Sequence, residues 1–295
     1  MSKNLFTLLI AFIMCLASCS FVSKDFDTSD KDNLIIQLIT YVLDQAHYLD
    51  KEINDEFSEK VFDTFLENLD PYKRYFYASD IEEFSKYKYL IDDAFKNPNL
   101  DFFELVYKRY TKRMLESEKI FNDILSKPFD FNKDEVCECD FEELDYVKTK
   151  DQLFDRWRKL LKIYVIEIYH NEIEDDLRKS KENSDFILRK PVLIEQKTRE
   201  SLKEIMQQNY VFISEEMQRS DWFSVYINSF VSQYDPNTSY LDPESKDRFD
   251  VDMSGNYAGI GARLQKKIDK VEITEVISGG PAWRDNILEK GDAIL

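Results

Sequence analysis

Four cysteines and two histidines are the side chains best equipped for chemistry in this 295-residue chain. Cys137 and Cys139 stand one residue apart in the acidic run Asp134-Glu-Val-Cys-Glu-Cys-Asp140. Extended positions i and i+2 lie near the upper limit of the separation a disulfide spans, so a bond between them would be strained. A zinc site would need two further ligands, and neither His47 nor His170 stands in zinc-motif spacing with the pair. The spacing predicts a non-functional or weakly redox-active pair. His170-Asn-Glu172-Ile-Glu174-Asp175-Asp176 lacks the paired histidines of a zinc helix and reads as a solvated acidic face. No metal and no cofactor is expected. Ser278 precedes Gly279 and Gly280, but no lysine is placed to act as its base, so no catalytic residue is assigned. Gly259 and Gly261 flank Ile260 and let the main chain come close to a ligand.

Cys15 and Cys19 sit in a different setting. Lys3 supplies a short positive region, and Leu5 to Leu16 is apolar. That length suits the core of a secretory signal and is short for a membrane span. The run ends in Leu16-Ala17-Ser18-Cys19, which resembles the lipobox of bacterial lipoproteins. The resemblance implies cleavage before Cys19 and acylation of its thiol and new amine. Each buried methylene contributes about 0.8 kcal/mol, so several acyl chains anchor stably. Residues 1–18 are then a lipoprotein signal peptide and 19–31 a polar tether. The non-acidic Ser20 points to a periplasm-facing position on the outer membrane.

Positioning falls to a long helical body. All six glycines lie at or after Gly255, and a stretch with none favours long helices over tight turns. From Gly255 onward six basic residues balance six acidic ones, so the net charge of -18 belongs to the part before it. Such an acidic surface repels phosphate backbones and argues against nucleic acid. These shifts predict a helical domain over 32–254 and a second module over 255–295.

Apolar residues recur at helical spacing in several stripes. One runs Leu34, Ile35, Leu38, Ile39, Val42, Leu43, Ala46, and a second Phe57, Val61, Phe62, Phe65, Leu69. Ser79 with Glu82 predicts a capping box opening a third helix, with Ile81, Phe84 and Leu90 on its inner face. Phe103, Tyr107, Tyr110, Met114, Phe121 and Leu125 predict a long helix ending near Pro128. Leu153, Trp157, Leu160, Leu161, Tyr164, Ile168 and Tyr169 predict another. A polar helix from about Pro191 to Gln218 precedes one over Trp222–Val231, and Asp242 before Pro243 reads as an N-cap. One pattern repeats at an offset of 165 residues. Phe65, Asp70-Pro71, Tyr75 and Phe84 match Phe230, Asp235-Pro236, Tyr240 and Phe249. In both copies a helix is expected to end at Asp-Pro, giving paired elbows in one architecture.

After Tyr257 the period changes to that of strands. Ile260, Ala262 and Leu264 alternate with Gly261, Arg263 and Gln265, and Val271, Ile273 and Val276 predict a second strand across a turn near Asp269. Gly279-Gly280-Pro281-Ala282 leads into a short helix. Gly259-Ile260-Gly261-Ala262 resembles the carboxylate-binding loop of PDZ domains, and Lys290-Gly-Asp-Ala-Ile-Leu295 resembles a later segment of that module. A helical body with two Asp-Pro elbows followed by Tyr257-Ala-Gly-Ile-Gly261 resembles the N-terminal half of tail-specific carboxy-terminal processing peptidases, serine peptidases of family S41.

The resemblance implies a mainly α N-terminal domain followed by a partial PDZ-like β/α module. It implies that amides of Ile260, Gly261 and Ala262 hold a substrate carboxylate while the adjoining strand accepts the peptide, with an apolar last residue against Ile260 and Ala262. It also implies a Ser/Lys catalytic dyad on a later domain that does not occur before Leu295, so this chain alone is expected to be inactive and truncated. Expected partners are proteins or peptides with apolar C-termini, the membrane through Cys19, and an adaptor lipoprotein. The alternative is a non-enzymatic peptide- or protein-binding lipoprotein.

Overall fold

A computed structural model describes residues 28–183, 185–254, 259–266, 270–286 and 288–294. The expected lipidation site Cys19 and the expected boundary at Gly255 lie outside them. So does the turn near Asp269. The chain divides into two compact units, one holding residues 28–48 and 93–100, the other 49–92 and 101–294.

The first unit holds helix α1, Thr28–Ala46. The Thr40 hydroxyl donates to the carbonyls of Ile36, at 2.8 Å, and Phe95, at 3.3 Å. Ile36 and Leu43 are buried, whereas Leu34, Leu38 and Val42 of the expected stripe are exposed. Seven residues make two turns and return to one line, so Ile36 and Leu43 share a face. Leu34 lies roughly 200° around the helix from Ile36. The apolar residues were too many for one face, and spacing did not say which would be buried.

In the second unit α2 (Asp55–Leu69) and α3 (Ala78–Phe84) flank the first elbow. The short α4 (Ile91–Lys96) crosses from this unit into the first. Then come α5 (Asp101–Leu125), α6 (Lys150–Glu182), α7 (Pro191–Val211), α8 (Arg219–Val231) and α9 (Pro243–Ser254). A π-helical turn, Phe212–Glu216, ends the polar helix earlier than expected. The predicted stripes of α2 and α5 are buried, except Tyr107, which is half-buried. Their aromatic rings build the core against α8. Phe57 stands edge-on to Phe230 at 4.9 Å, Tyr226 lies 5.0 Å from Phe65 and 5.6 Å from Phe103, and Trp222 lies 4.8 Å from Tyr110. Helix α6 buries Leu153, Trp157, Leu160, Leu161 and Val165 in its first half only. Beyond that it is tied to the segment before α7 by Arg189, which forks onto the buried Asp176.

Helix α3 starts differently from expectation. Tyr77, not Ser79, is its N-cap, and Asp80, not Glu82, reaches back to accept the Tyr77 N–H at 3.0 Å. The cause is distant in sequence. Ala78 N–H bonds to the Val147 carbonyl at 2.8 Å, which holds Tyr77 extended. The Arg109 and Arg113 guanidiniums clamp the buried Asp80 carboxylate. Leu90, expected on the inner face, is exposed. At α9 the expected cap is present: Asp242 Oδ1 accepts the N–H groups of Glu244 and Ser245, each at 3.0 Å.

The two elbows share spacing but not bracing. Asp70 is the C-cap of α2 and fully buried, and its carboxylate accepts the N–H groups of Arg74, Tyr75 and Phe76 at 2.8–2.9 Å. Burial pushes its carboxyl above the ordinary range, against these donors and the nearby Arg74 charge. Asp235 lies four residues beyond the end of α8, so that helix does not run to Asp-Pro as expected. Asn228 supports this elbow instead. Its side chain donates to the Tyr240 carbonyl at 3.0 Å and accepts the Tyr240 N–H at 2.7 Å. Phe84 is buried, whereas Phe249 is half-exposed.

Beyond α9 the chain forms strands β1 (Ala262–Lys266) and β2 (Val271–Val276), helix α10 (Pro281–Asp285) and strand β3 (Ala293–Ile294). The sheet is antiparallel in the order β1-β2-β3, and a bulge between Arg263 and Leu264 shifts the register. The result is the expected class, a helical domain followed by a small β/α module.

Candidate peptide-binding loop

The loop Gly259–Ala262 enters β1, and the Ile277–Ala282 turn holds it in place. The Ile277 N–H bonds to the Gly261 carbonyl at 2.8 Å, and the Ala282 N–H to the Ile260 carbonyl at 2.9 Å. Both carbonyls are thus consumed by the turn that starts α10. The N–H groups of Ile260 and Gly261 make no hydrogen bond to any described residue.

Two glycines make this packing possible. Gly261 adopts φ +76°, a conformation L side chains rarely take. A Cβ there would stand 3.0 Å from Gly280 Cα and from Pro281 Cδ. Gly280 has an ordinary φ of −73°, but a Cβ on it would meet Gly261 Cα at 3.0 Å and the Ile277 carbonyl oxygen at 3.1 Å. The main chains touch where neither residue has a side chain.

The supports of the module are small. Ile273 at the centre of β2 is fully buried, and Ala282 on α10 is buried. The Gly291 N–H bonds to the Ile273 carbonyl and the Ile273 N–H to the Asp292 carbonyl, which ties β3 to β2. Ile260 is 50% exposed and Ala262 half-buried, so both apolar side chains flanking the loop remain accessible. Strand β1 has β2 on one side only, which leaves its other edge open among the described residues.

Of the residues singled out from sequence, Gly259, Ile260 and Gly261 lie in the loop and Ala262 opens β1. The residues that clamp it, Ile277, Gly280 and Ala282, were not assigned to it. The adjacent glycines 279 and 280 were the available signal, because such a pair often marks a close approach of two backbones. Ser278 lies in the turn after β2. Cys137 and Cys139 are free thiols. His170 lies on exposed α6 surface beside Glu174 at 3.3 Å.

Most of the chain, and not the loop alone, is similar to known proteins. Residues 39–244 match the family described as tail specific protease N-terminal domain. The chain is 28% identical over 268 residues to the tail-specific protease of Haemophilus influenzae, an alignment covering 90% of this chain and 36% of that protein. It is 41% identical over 56 residues to a probable CtpA-like serine protease of Staphylococcus aureus, covering 19% of this chain and 11% of that one. The chain spans about a third of the length of the Haemophilus relative. The helical body carrying the two elbows is the matched region, and through it this chain belongs to the tail-specific protease family as an N-terminal domain.

Proposed function

We propose that this chain is the substrate-recognition part of a lipid-anchored, tail-specific serine endopeptidase, and that its Gly259–Ala262 loop captures the C-terminal carboxylate of protein substrates. The observation that carries the proposal is the asymmetry of the loop. Its carbonyls at Ile260 and Gly261 are engaged, while the amides of the same residues have no described partner. Two successive main-chain donors with no competing acceptor among the described residues suit an acceptor-only group such as a carboxylate. The open edge of β1 starts where the loop ends, so a peptide can pair along the strand and finish in the loop. Ile260 and Ala262 beside it favour an apolar last residue.

Peptide cleavage would be acyl transfer by a lysine-activated serine on a domain following the PDZ-like module. The helical body would hold the substrate and set the module over that site. Acylation at Cys19 would keep the protein on the outer membrane, facing the periplasm, where an adaptor lipoprotein could deliver substrates. Labelling cells with a fatty-acid analogue tests the anchor: the wild-type protein takes it up and Cys19→Ser does not.

Carboxylate capture is tested by titrating the full-length protein with a peptide ending in an apolar residue, free or amidated at its C-terminus. Hydrogen bonds to a charged partner contribute about 1.5–3 kcal/mol each. The free peptide is expected to bind at least ten times more tightly. Equal affinity for the two forms overturns the proposal.

A further inference from the structure

The segment joining α5 to α6, residues 126–149, contains no helix or strand beyond one bridge between Val147 and Tyr77. Connections of that length without structure of their own are uncommon and are usually either functional or plain linkers. This one is pinned on both sides of a short span. On one side Glu135 accepts the Arg158 guanidinium at 2.9 and 2.6 Å and the Lys162 ammonium at 2.7 Å. On the other, Phe141 stands edge-on to Tyr72 at 5.1 Å, and the Lys73 ammonium bonds to the Glu142 carbonyl at 2.8 Å. The first pin fixes the strap to α6, the second to the first elbow.

Between the pins lie Cys137 and Cys139. Cys137 is half-buried and lines a 590 Å³ cavity together with Glu138, Asp155, Arg156 and Lys159. Cys139 is exposed, and its sulfur lies 3.7 Å from the Cys137 carbonyl oxygen. Burial, with the neighbouring Cys139, pushes the Cys137 thiol up, so the exposed Cys139 is the one placed to react first.

We propose that Cys137 and Cys139 are a reversible redox pair that exchanges with an external disulfide, and that ring closure tightens the strap between α6 and the first elbow. The exposed Cys139 thiolate attacks one sulfur of the external disulfide, forming a mixed disulfide and releasing the first thiolate. Cys137, losing its proton, attacks the Cys139 sulfur. The Cys137–Cys139 bond forms, the mixed bond breaks, and the second thiolate leaves. Two electrons pass to the external disulfide, and the two thiol protons end on its two released thiols.

Geometry makes the bond labile. An extended i to i+2 step spans about 6.4–6.8 Å between Cα atoms. Disulfides bridge Cα separations of roughly 4.4–6.8 Å. Closure therefore draws the span in from the upper limit, and strained disulfides are the more easily reduced ones. That favours a switch over a structural cross-link.

Trypsin cuts after Lys133 and Lys148 and releases both cysteines on one peptide, away from Cys15 and Cys19. The full-length protein is treated with oxidised glutathione, and free thiols are alkylated at intervals before digestion. In the wild type this peptide is expected to lose two hydrogens, with a glutathionyl adduct only in passing, and reduced glutathione restores it. In Cys137→Ser the adduct on Cys139 accumulates at least tenfold above its wild-type level. A wild-type peptide that keeps its adducts and never forms the ring overturns the redox pair. Amide exchange at Tyr75 and Phe76 is expected to slow on oxidation, and unchanged exchange there overturns the coupling to the elbow.

Discussion

Replacing Gly261, Gly280 and Gly259 singly by alanine separates three effects within one loop. At Gly261 the methyl group meets two penalties. The backbone sits at φ +76°, and left-handed geometry costs an L residue about 1–2 kcal/mol. The new Cβ also stands 3.0 Å from Gly280 Cα and Pro281 Cδ, which no side-chain rotation can move. Overpacking of that kind adds at least about 1 kcal/mol, for a total of about 2–3 kcal/mol. At Gly280 the conformation suits alanine, and only the contacts with Gly261 Cα and the Ile277 carbonyl remain, at about 1–2 kcal/mol. At Gly259 a Cβ meets nothing within 4 Å, so no change is expected. The readout is hydrogen exchange of the Ile277 and Ala282 amides in the full-length protein, since these donate to the loop carbonyls. With 1.4 kcal/mol per factor of ten, exchange accelerates roughly 30- to 140-fold for Gly261→Ala and about 5- to 30-fold for Gly280→Ala. It stays within about twofold for Gly259→Ala. Unchanged exchange in Gly280→Ala would refute the claim that close approach of the two backbones holds the loop.

Two further outcomes concern the helical body. Asp70→Asn keeps the shape of the side chain but sets an N–H₂ group against a main-chain donor, because both carboxylate oxygens accept N–H groups. It is expected to destabilise the body by about 2–3 kcal/mol, read as a lower urea midpoint at constant slope. Asp80 responds to pH. Burial alone would push its carboxyl up, but Arg113, the Tyr77 N–H and Arg109 hold it below the ordinary range. A depressed carboxyl contributes stability that is present above the unfolded value and lost as pH falls through the folded one. Wild-type stability is therefore expected to fall more steeply than that of Asp80→Asn as the pH drops below about 4, and parallel profiles would remove Asp80 as the cause.

Legibility followed the range of the forces involved. Helices α2 and α5 were readable because each has one dominant apolar face, and that face meets the core. The Asp242 cap was readable because it is set within three residues. The start of α3 was not, since a bridge from Val147, seventy residues away, and two arginines from α5 decide it. The elbows show the same limit. Proline restricts the residue before it, so Asp-Pro marks where a helix must already have ended, but it does not say how many residues earlier. In the loop, glycine positions were visible as composition. The meeting of Gly261 with Gly280 was not, because it depends on a turn nineteen residues further on.

The open edge of β1 bears on why a terminal carboxylate, rather than any extended segment, would be the ligand. An unpaired edge invites any strand, including a second copy, and proteins limit this with charge, short length and bulges. All three occur here. The strand has five residues, a bulge follows Arg263, and Arg263 pairs with Glu275 at 2.9 Å across the sheet. The edge is therefore too short and irregular to select a partner by main-chain pairing alone. On the proposed reading, selection would come from its end, where the loop carbonyls are engaged and the amides have no described partner. An internal peptide segment would bring an N–H to that end with no described acceptor there, and where the bound peptide excluded water from that donor the loss would be roughly 1–3 kcal/mol. A chain terminus brings two oxygens and no N–H. On this argument, tail specificity would arise as much from what the loop refuses as from what it holds.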